Sequence, residues 1–346
     1  MPETPPPENP ENPGNAEAPD GPSRPSTLAD GFRLAIGTLS VLPVRPGTVD
    51  RRAGGRAMAL APLVGAVLGG IAAAVLTAAL WLEISPLLSS ALAVGTLALL
   101  TRALHLDGLA DLADGLGSGR PAERALDIMK RSDIGPFGVV TLVLTLLVQT
   151  AALTEAVSAG FGPPALVAAC VAGRLALTWA CREHVPGARP GGLGATVAGT
   201  VRRGPALAAT ALSLTGVAAV TFLFCFWILG PSSSGHHYLS HSPEDAVLYD
   251  GSYAPLRGAE MSEAYAGALE ISSFPEGVLR LPQDLLSPLP ALLPVVACPL
   301  AVVAGLLAAS ALRRRAVRRL GGITGDVLGA LVETATAAAL VVCVMV

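Results

Sequence analysis

Seven stretches of this chain are apolar over the length needed to cross a bilayer, and no other feature restricts its fold as tightly. They cover about residues 57–81, 86–104, 138–158, 163–181, 205–229, 290–312 and 327–346. A membrane-spanning helix takes roughly 20 mostly apolar residues, so the sequence predicts an all-α, polytopic integral membrane bundle of about seven transmembrane helices. Pro62, Gly65, Gly69 and Gly70 in the first stretch are compatible with this, since small residues let membrane helices pack closely. Only 14% of the 346 residues are charged, against roughly a quarter in a soluble domain, which excludes a water-soluble globule. Cys170, Cys181, Cys225, Cys298 and Cys343 lie in or beside apolar runs with no CxxC pair. They read as small buried hydrophobes.

Basic residues set the expected orientation. With a cytoplasmic N-terminus, the inner segments hold Arg45, Arg51, Arg52 and Arg56, then Arg120, Arg124, Lys130 and Arg131. They also hold Arg182, Arg189, Arg202 and Arg203, and then the run from Arg313 to Arg319. The outer segments hold only Arg257 and Arg280, as the positive-inside rule requires. Residues 1–30, rich in Pro, Glu and Asn, read as a disordered tail with no signal-peptide pattern. Residues 31–346 form the membrane-embedded domain, interrupted by an acidic, Ser- and Pro-rich outer loop over 230–288 that carries His236, His237 and His241.

The chemistry concentrates in polar segments between the apolar runs. In His105-Leu-Asp107-Gly-Leu-Ala-Asp111-Leu-Ala-Asp114, carboxylates recur at i, i+4 and i+7, on one helical face. Like charges so spaced repel, and Mg²⁺ is the cation that suits them, because it takes carboxylate oxygens, keeps waters and bridges to phosphates. His105 is a candidate general base beside that face. Lys130, the sole lysine, and Arg131 are candidate phosphate contacts, although the positive-inside pattern places bases there regardless. Arg174 lies inside an apolar run, where an arginine needs a polar cavity or a partner. The segment Gly321-Gly322-Ile323-Thr324-Gly325-Asp326 leads into the last helix. Thr324 or Asp326 serves there either as a helix cap or as part of a phosphate site, with Asp326 as a further metal ligand. Glu333, seven residues on, is an ionisable group within the membrane.

HLDGLADLADG over 105–115, ERALDIMKRSDIGPFG over 123–138 and RRLGGITGDVLGALVE over 318–333 together resemble the signatures of the cobalamin synthase family, the adenosylcobinamide-GDP ribazoletransferases. LAPLVGAVLGG over 60–70 resembles that family's first membrane helix, and the resemblance covers about 32–229 and 290–346. Three positions depart from the pattern. Ser40-Val41 precede Leu42-Pro43 where the family often has Thr-Arg, the order of charges differs at Arg131 and Asp133, and Thr336 replaces a second acidic residue. The 230–288 segment has no counterpart in the shorter family pattern.

The resemblance implies a reaction in which α-ribazole, or its 5′-phosphate, attacks the activated phosphoryl group of adenosylcobinamide-GDP. GMP leaves, and adenosylcobalamin or its phosphate forms in the last steps of cobalamin biosynthesis. The expected site gives Asp107, Asp111, Asp114 and Asp326 to Mg²⁺ and His105 to the proton. Lys130, Arg131, Arg174, Gly321, Gly322, Thr324, Asp326 and Glu333 go to substrate. The expected partners are the two substrates and the bilayer, with no nucleic acid, and homo-oligomerisation is left open. The expected location is the bacterial inner membrane, with the site facing the cytoplasm. CDP-alcohol phosphotransferases also space aspartates on membrane helices, but their motif continues Ala-Arg after the first Asp-Gly and supplies later aspartates absent here. An ion-coupled transporter would place its charges in mid-membrane within repeated, broken helices. Here they cluster at one face and no internal repeat is seen.

Overall fold

The computed structural model describes residues 26–45, 47–131, 133–229 and 289–345. The 230–288 segment with its histidines and most of the predicted N-terminal tail therefore lie outside the described residues. Local signals start most helices. Thr27 and Asp30 form a reciprocal capping box on α1 (Leu28–Leu39), which takes in the last three residues read as tail. Asp50 caps α2 (Arg51–Trp81) by accepting the Ala53 N–H at 2.6 Å. Ser85 caps α3 (Pro86–Leu100), and proline takes the first helical position there and in α6 (Pro136–Ser158). Thr324 caps the last helix, α11 (Gly325–Cys343).

Six more helices occur among the described residues, five of them being α4 (Leu104–Gly117), α5 (Ala122–Ile128), α7 (Gly162–Ala180), α8 (Leu193–Val197) and α9 (Arg203–Leu229). The remaining one, α10 (Leu289–Leu320), spans 32 residues, or about 48 Å at 1.5 Å per residue. That exceeds the roughly 30 Å hydrocarbon layer, so the arginines from Arg313 to Arg319 continue the helix beyond it. Among the described residues, six helices (α2, α6, α7, α9, α10 and α11) are long and apolar enough to cross a membrane, and α3 with α4 makes a seventh if the bent pair counts as one. No strand occurs among the described residues. Two isolated bridges, Arg182–Val201 and Gly187–Ile323, tie loops together.

The predicted span over 86–104 is the one the structure alters. α3 stops at Leu100, and the chain bends by 88° into α4 through Arg102 and Ala103, both at φ 53°. Left-handed backbone costs about 1–2 kcal/mol at a residue with a side chain. The Val41 N–H, donating to Leu100 O at 2.7 Å, helps hold this corner.

α7 is the hub, buried along nearly its whole length against α2, α10 and α11. Gly65 and Gly69 of α2 sit directly on Cys170 of α7, an approach that small residues permit. The outer helices expose large apolar side chains instead, among them Leu144 and Leu147 of α6, Leu223 and Phe226 of α9, and Leu307 of α10. Such faces match lipid, and exposed Trp81 and Trp227 at helix ends match the aromatic belt. All five cysteines are free and buried.

Candidate active site

The four basic segments meet at one end of the bundle. Arg51 donates to Ala195 O at 2.6 Å and to Ala198 O at 2.8 Å, and Arg189 donates to Leu126 O. The Ile323 N–H donates to Pro186 O at 2.9 Å, and the Ala188 N–H returns to Ile323 O at 3.0 Å. The α7–α9 connection is thereby fastened to the turn that opens α11. Gly322 makes this possible, since a Cβ there would lie 2.5 Å from Ala188 N and 2.6 Å from Pro186 O.

α4 lies against the starts of α6 and α11, and those contacts decide what each carboxylate meets. Gly108 rests on α11, where a Cβ would come within 2.8 Å of Asp326 O. That contact sets Asp326 beside the α4 aspartates, two motifs more than 200 residues apart in sequence. Along α4 the acidic face rolls inward, with Asp107 exposed, Asp111 half-buried and Asp114 buried. Asp114 is tied down, accepting the Gly135 N–H at 2.7 Å and the Gly138 N–H at 3.0 Å across the start of α6. Asp111, on α4 beyond the apolar 86–104 run and the bend, has its carboxyl pushed up to about 6. Desolvation is the main cause, followed by the charges of Asp107, Asp326 and Asp114, while Arg189 pulls the other way.

Among the described residues, no three acidic, His or Cys side chains stand close enough to cage a metal ion. The donor chemistry still fits Mg²⁺, which commonly takes only one or two carboxylates plus waters and substrate phosphates. Asp107, Asp111 and Asp326 offer hard oxygens whose mutual repulsion a cation would relieve. Both oxygens of Asp114 already accept backbone N–H groups, which sets it apart from these three.

Other predicted site residues fall into two groups. At the polar end, Lys130 and Arg131 are exposed and form no ion pair among the described residues. Gly321 is exposed at φ 80°, and the Thr324 hydroxyl accepts the Val327 N–H at 3.2 Å while donating to Asp326 Oδ2 at 3.2 Å. Deeper in the bundle, Arg174 and Glu333 line a void of about 20 Å³ together with Gln149, Leu106 and Thr336. Gln149 Nε2 donates to Glu333 Oε2 at 2.8 Å. A void that small holds about one water. His105, beside Leu106, is 3% exposed with neither ring nitrogen paired, and Arg174, also 3% exposed, leaves its Nε unpaired.

Gln149, Arg51 and Arg189 were not singled out by the sequence. A lone amide in the apolar α6 run is a readable signal for Gln149. Arg51 and Arg189 were hidden by the positive-inside pattern, which accounts for any arginine in those loops.

Among the described residues, the chain is an all-helical, multi-span bundle that gathers carboxylates and guanidinium groups from distant segments at one end, the layout of an integral membrane protein with a polar site. The family model for cobalamin-5-phosphate synthases matches residues 31–239 and 251–344, and the chain belongs to that family. The two matched ranges leave out 240–250, within the 230–288 segment. The adenosylcobinamide-GDP ribazoletransferase of Frankia casuarinae is 39% identical over 323 residues, covering 90% of this chain and 94% of that protein. The enzyme of the same name from Nocardioides is 47% identical over 175 residues, 50% of this chain and 75% of its own. That of Corynebacterium efficiens is 40% identical over 181 residues, 51% of this chain and 64% of its own. No solved structure matches the chain.

Proposed function

We propose that this protein is an adenosylcobinamide-GDP ribazoletransferase. It transfers the cobinamide-phosphate group of adenosylcobinamide-GDP to α-ribazole or its 5′-phosphate, with release of GMP. In a member of this family, the observation that carries the chemistry is the meeting of Asp107 and Asp111 with Asp326 at one end of the bundle. Displacement at a pyrophosphate needs its negative charge neutralised and the attacking hydroxyl held in line. One or two of Asp107, Asp111 and Asp326, completed by waters and substrate oxygens, would hold Mg²⁺, which when bound would offset charge on the phosphate oxygens. Lys130 and Arg131, exposed and without carboxylate partners among the described residues, meet incoming phosphates from the rim. The bare Gly321 backbone lets a phosphate approach the turn.

His105, 3% exposed with both ring nitrogens free of hydrogen bonds, can take the attacking hydroxyl's proton only where substrate binding opens α4 to it. Arg174 and Glu333 act from within the bundle, holding α4 in place through the Gln149 cluster rather than reaching substrate. The site faces the cytoplasm of the bacterial inner membrane, because the basic segments gather at its end. The test offers purified protein either adenosylcobinamide-GDP with α-ribazole or a CDP-lipid with an alcohol. GMP release from the first alone is expected. CMP release from the second, without GMP from the first, would overturn the reading.

A further inference from the structure

A cleft of about 480 Å³ opens among the basic segments that meet the aspartate end, and none of its residues was assigned above to metal or substrate. Arg51, His184 and Arg189 line it with Gly187, Ala195 and Gly199, and no carboxylate does. Its cations are held in place. The fork of Arg51 is anchored on the carbonyls of Ala195 and Ala198. A guanidinium has five N–H donors, so most of the Arg51 fork is left over. Arg189 gives one nitrogen to Leu126 O, and its Nε is buried without a partner. Neither arginine belongs to an ion pair among the described residues. The walls are pinned as well, by the hydrogen bonds between 186–188 and Ile323 and by the Glu183 N–H donating to Val201 O at 2.9 Å.

Arg189 also lies within electrostatic reach of Asp111 and Asp326, its charge opposing their mutual repulsion. A ligand in the cleft would thus present its anionic end next to the carboxylates. The volume lies within the roughly 300–1,000 Å³ of small-molecule sites, enough for a mononucleotide and too little for a corrin ring with its nucleotide. A fixed guanidinium fork suits phosphate oxygens better than a mobile ammonium does.

We propose that the cleft of Arg51, His184 and Arg189 is a nucleotide-phosphate subsite that seats the phosphate of a substrate nucleotide against the aspartate face. This rests on the transferase reading. The phosphate comes either from the guanine nucleotide of the donor or from a 5′-phosphorylated acceptor, and the two share the same chemistry.

The test titrates GMP and α-ribazole 5′-phosphate separately into full-length protein in nanodiscs, with guanosine as the unphosphorylated control. Arg189→Gln removes the charge, Arg51→Lys removes the fork, and His184→Asn removes the imidazole while tolerating its φ of 71°. At least one nucleotide binds wild type well above guanosine, and its Kd rises tenfold or more in Arg189→Gln and several-fold in the other two. The nucleotide affected identifies the source. If Arg189→Gln fails to fold, the exposed His184→Asn and the charge-preserving Arg51→Lys carry the test. Unchanged affinity for both nucleotides in folded variants, or no nucleotide binding by wild type, overturns the subsite. Turnover of adenosylcobinamide-GDP by the same wild-type sample, measured alongside, stands or falls separately and decides the transferase reading.

Discussion

Asp114 accepts the backbone N–H of Gly135 at 2.7 Å, so the third carboxylate of the acidic face fastens α4 to the start of α6. Asp107, seven residues earlier on the same face, is exposed. The two aspartates should therefore fail differently. Asp114→Ala strands two N–H groups and costs about 1–2 kcal/mol, the usual range for a lost helix cap. Thermal unfolding in detergent reads this as a lower Tm. Asp107→Ala keeps its Tm and loses about 100-fold or more in kcat, the scale seen when a preorganised charge contact is removed.

Gly322 packs with no room for a side chain against the backbone of 186–188. Gly322→Ala must push the α10–α11 turn away and carry Asp326 with it. We expect at least a tenfold loss of activity and a Tm lower by several degrees. Gly95, inside α3, faces open space, and a methyl group placed there would touch nothing within 4 Å. Gly95→Ala should leave activity unchanged and stabilise by up to about 1 kcal/mol, through helix propensity alone.

The Gln149–Glu333 hydrogen bond joins α6 to α11 inside the bundle. Gln149→Leu removes a donor from a buried carboxyl, which costs about 1–3 kcal/mol. Equilibrium unfolding measures the loss. The KM for both substrates should stay within twofold if the cluster only positions α4. A large rise in KM without loss of stability would instead return Glu333 to the substrate.

Helix existence was legible because each apolar run is long enough to demand a span, and most boundaries follow from caps such as Asp50 and Ser85. The break after Leu100 was not, because Thr101, Arg102 and Ala103 carry no Gly or Pro signal, and contacts to α1 and its following segment help set that corner. The i, i+4, i+7 spacing correctly placed Asp107, Asp111 and Asp114 on one face. Spacing alone says nothing of burial, and burial is what separates Asp114 from Asp107. Nor does spacing reveal that α11 begins beside Gly108, the contact that brings Asp326 into the group. Arg174 and Glu333 were recognised as ionisable groups in the membrane, but their shared void became visible only when α6 supplied Gln149.

The most direct test is GMP release and corrinoid product formation from adenosylcobinamide-GDP and α-ribazole. It compares wild type with Asp107→Ala, each stripped by chelator and then titrated with Mg²⁺. The account predicts one GMP per corrinoid product, no turnover after chelation, recovery with Mg²⁺ in wild type, and at least a roughly 100-fold deficit in the variant at saturating Mg²⁺. Full turnover by chelated protein, or a folded Asp107→Ala protein with wild-type rates, would contradict it.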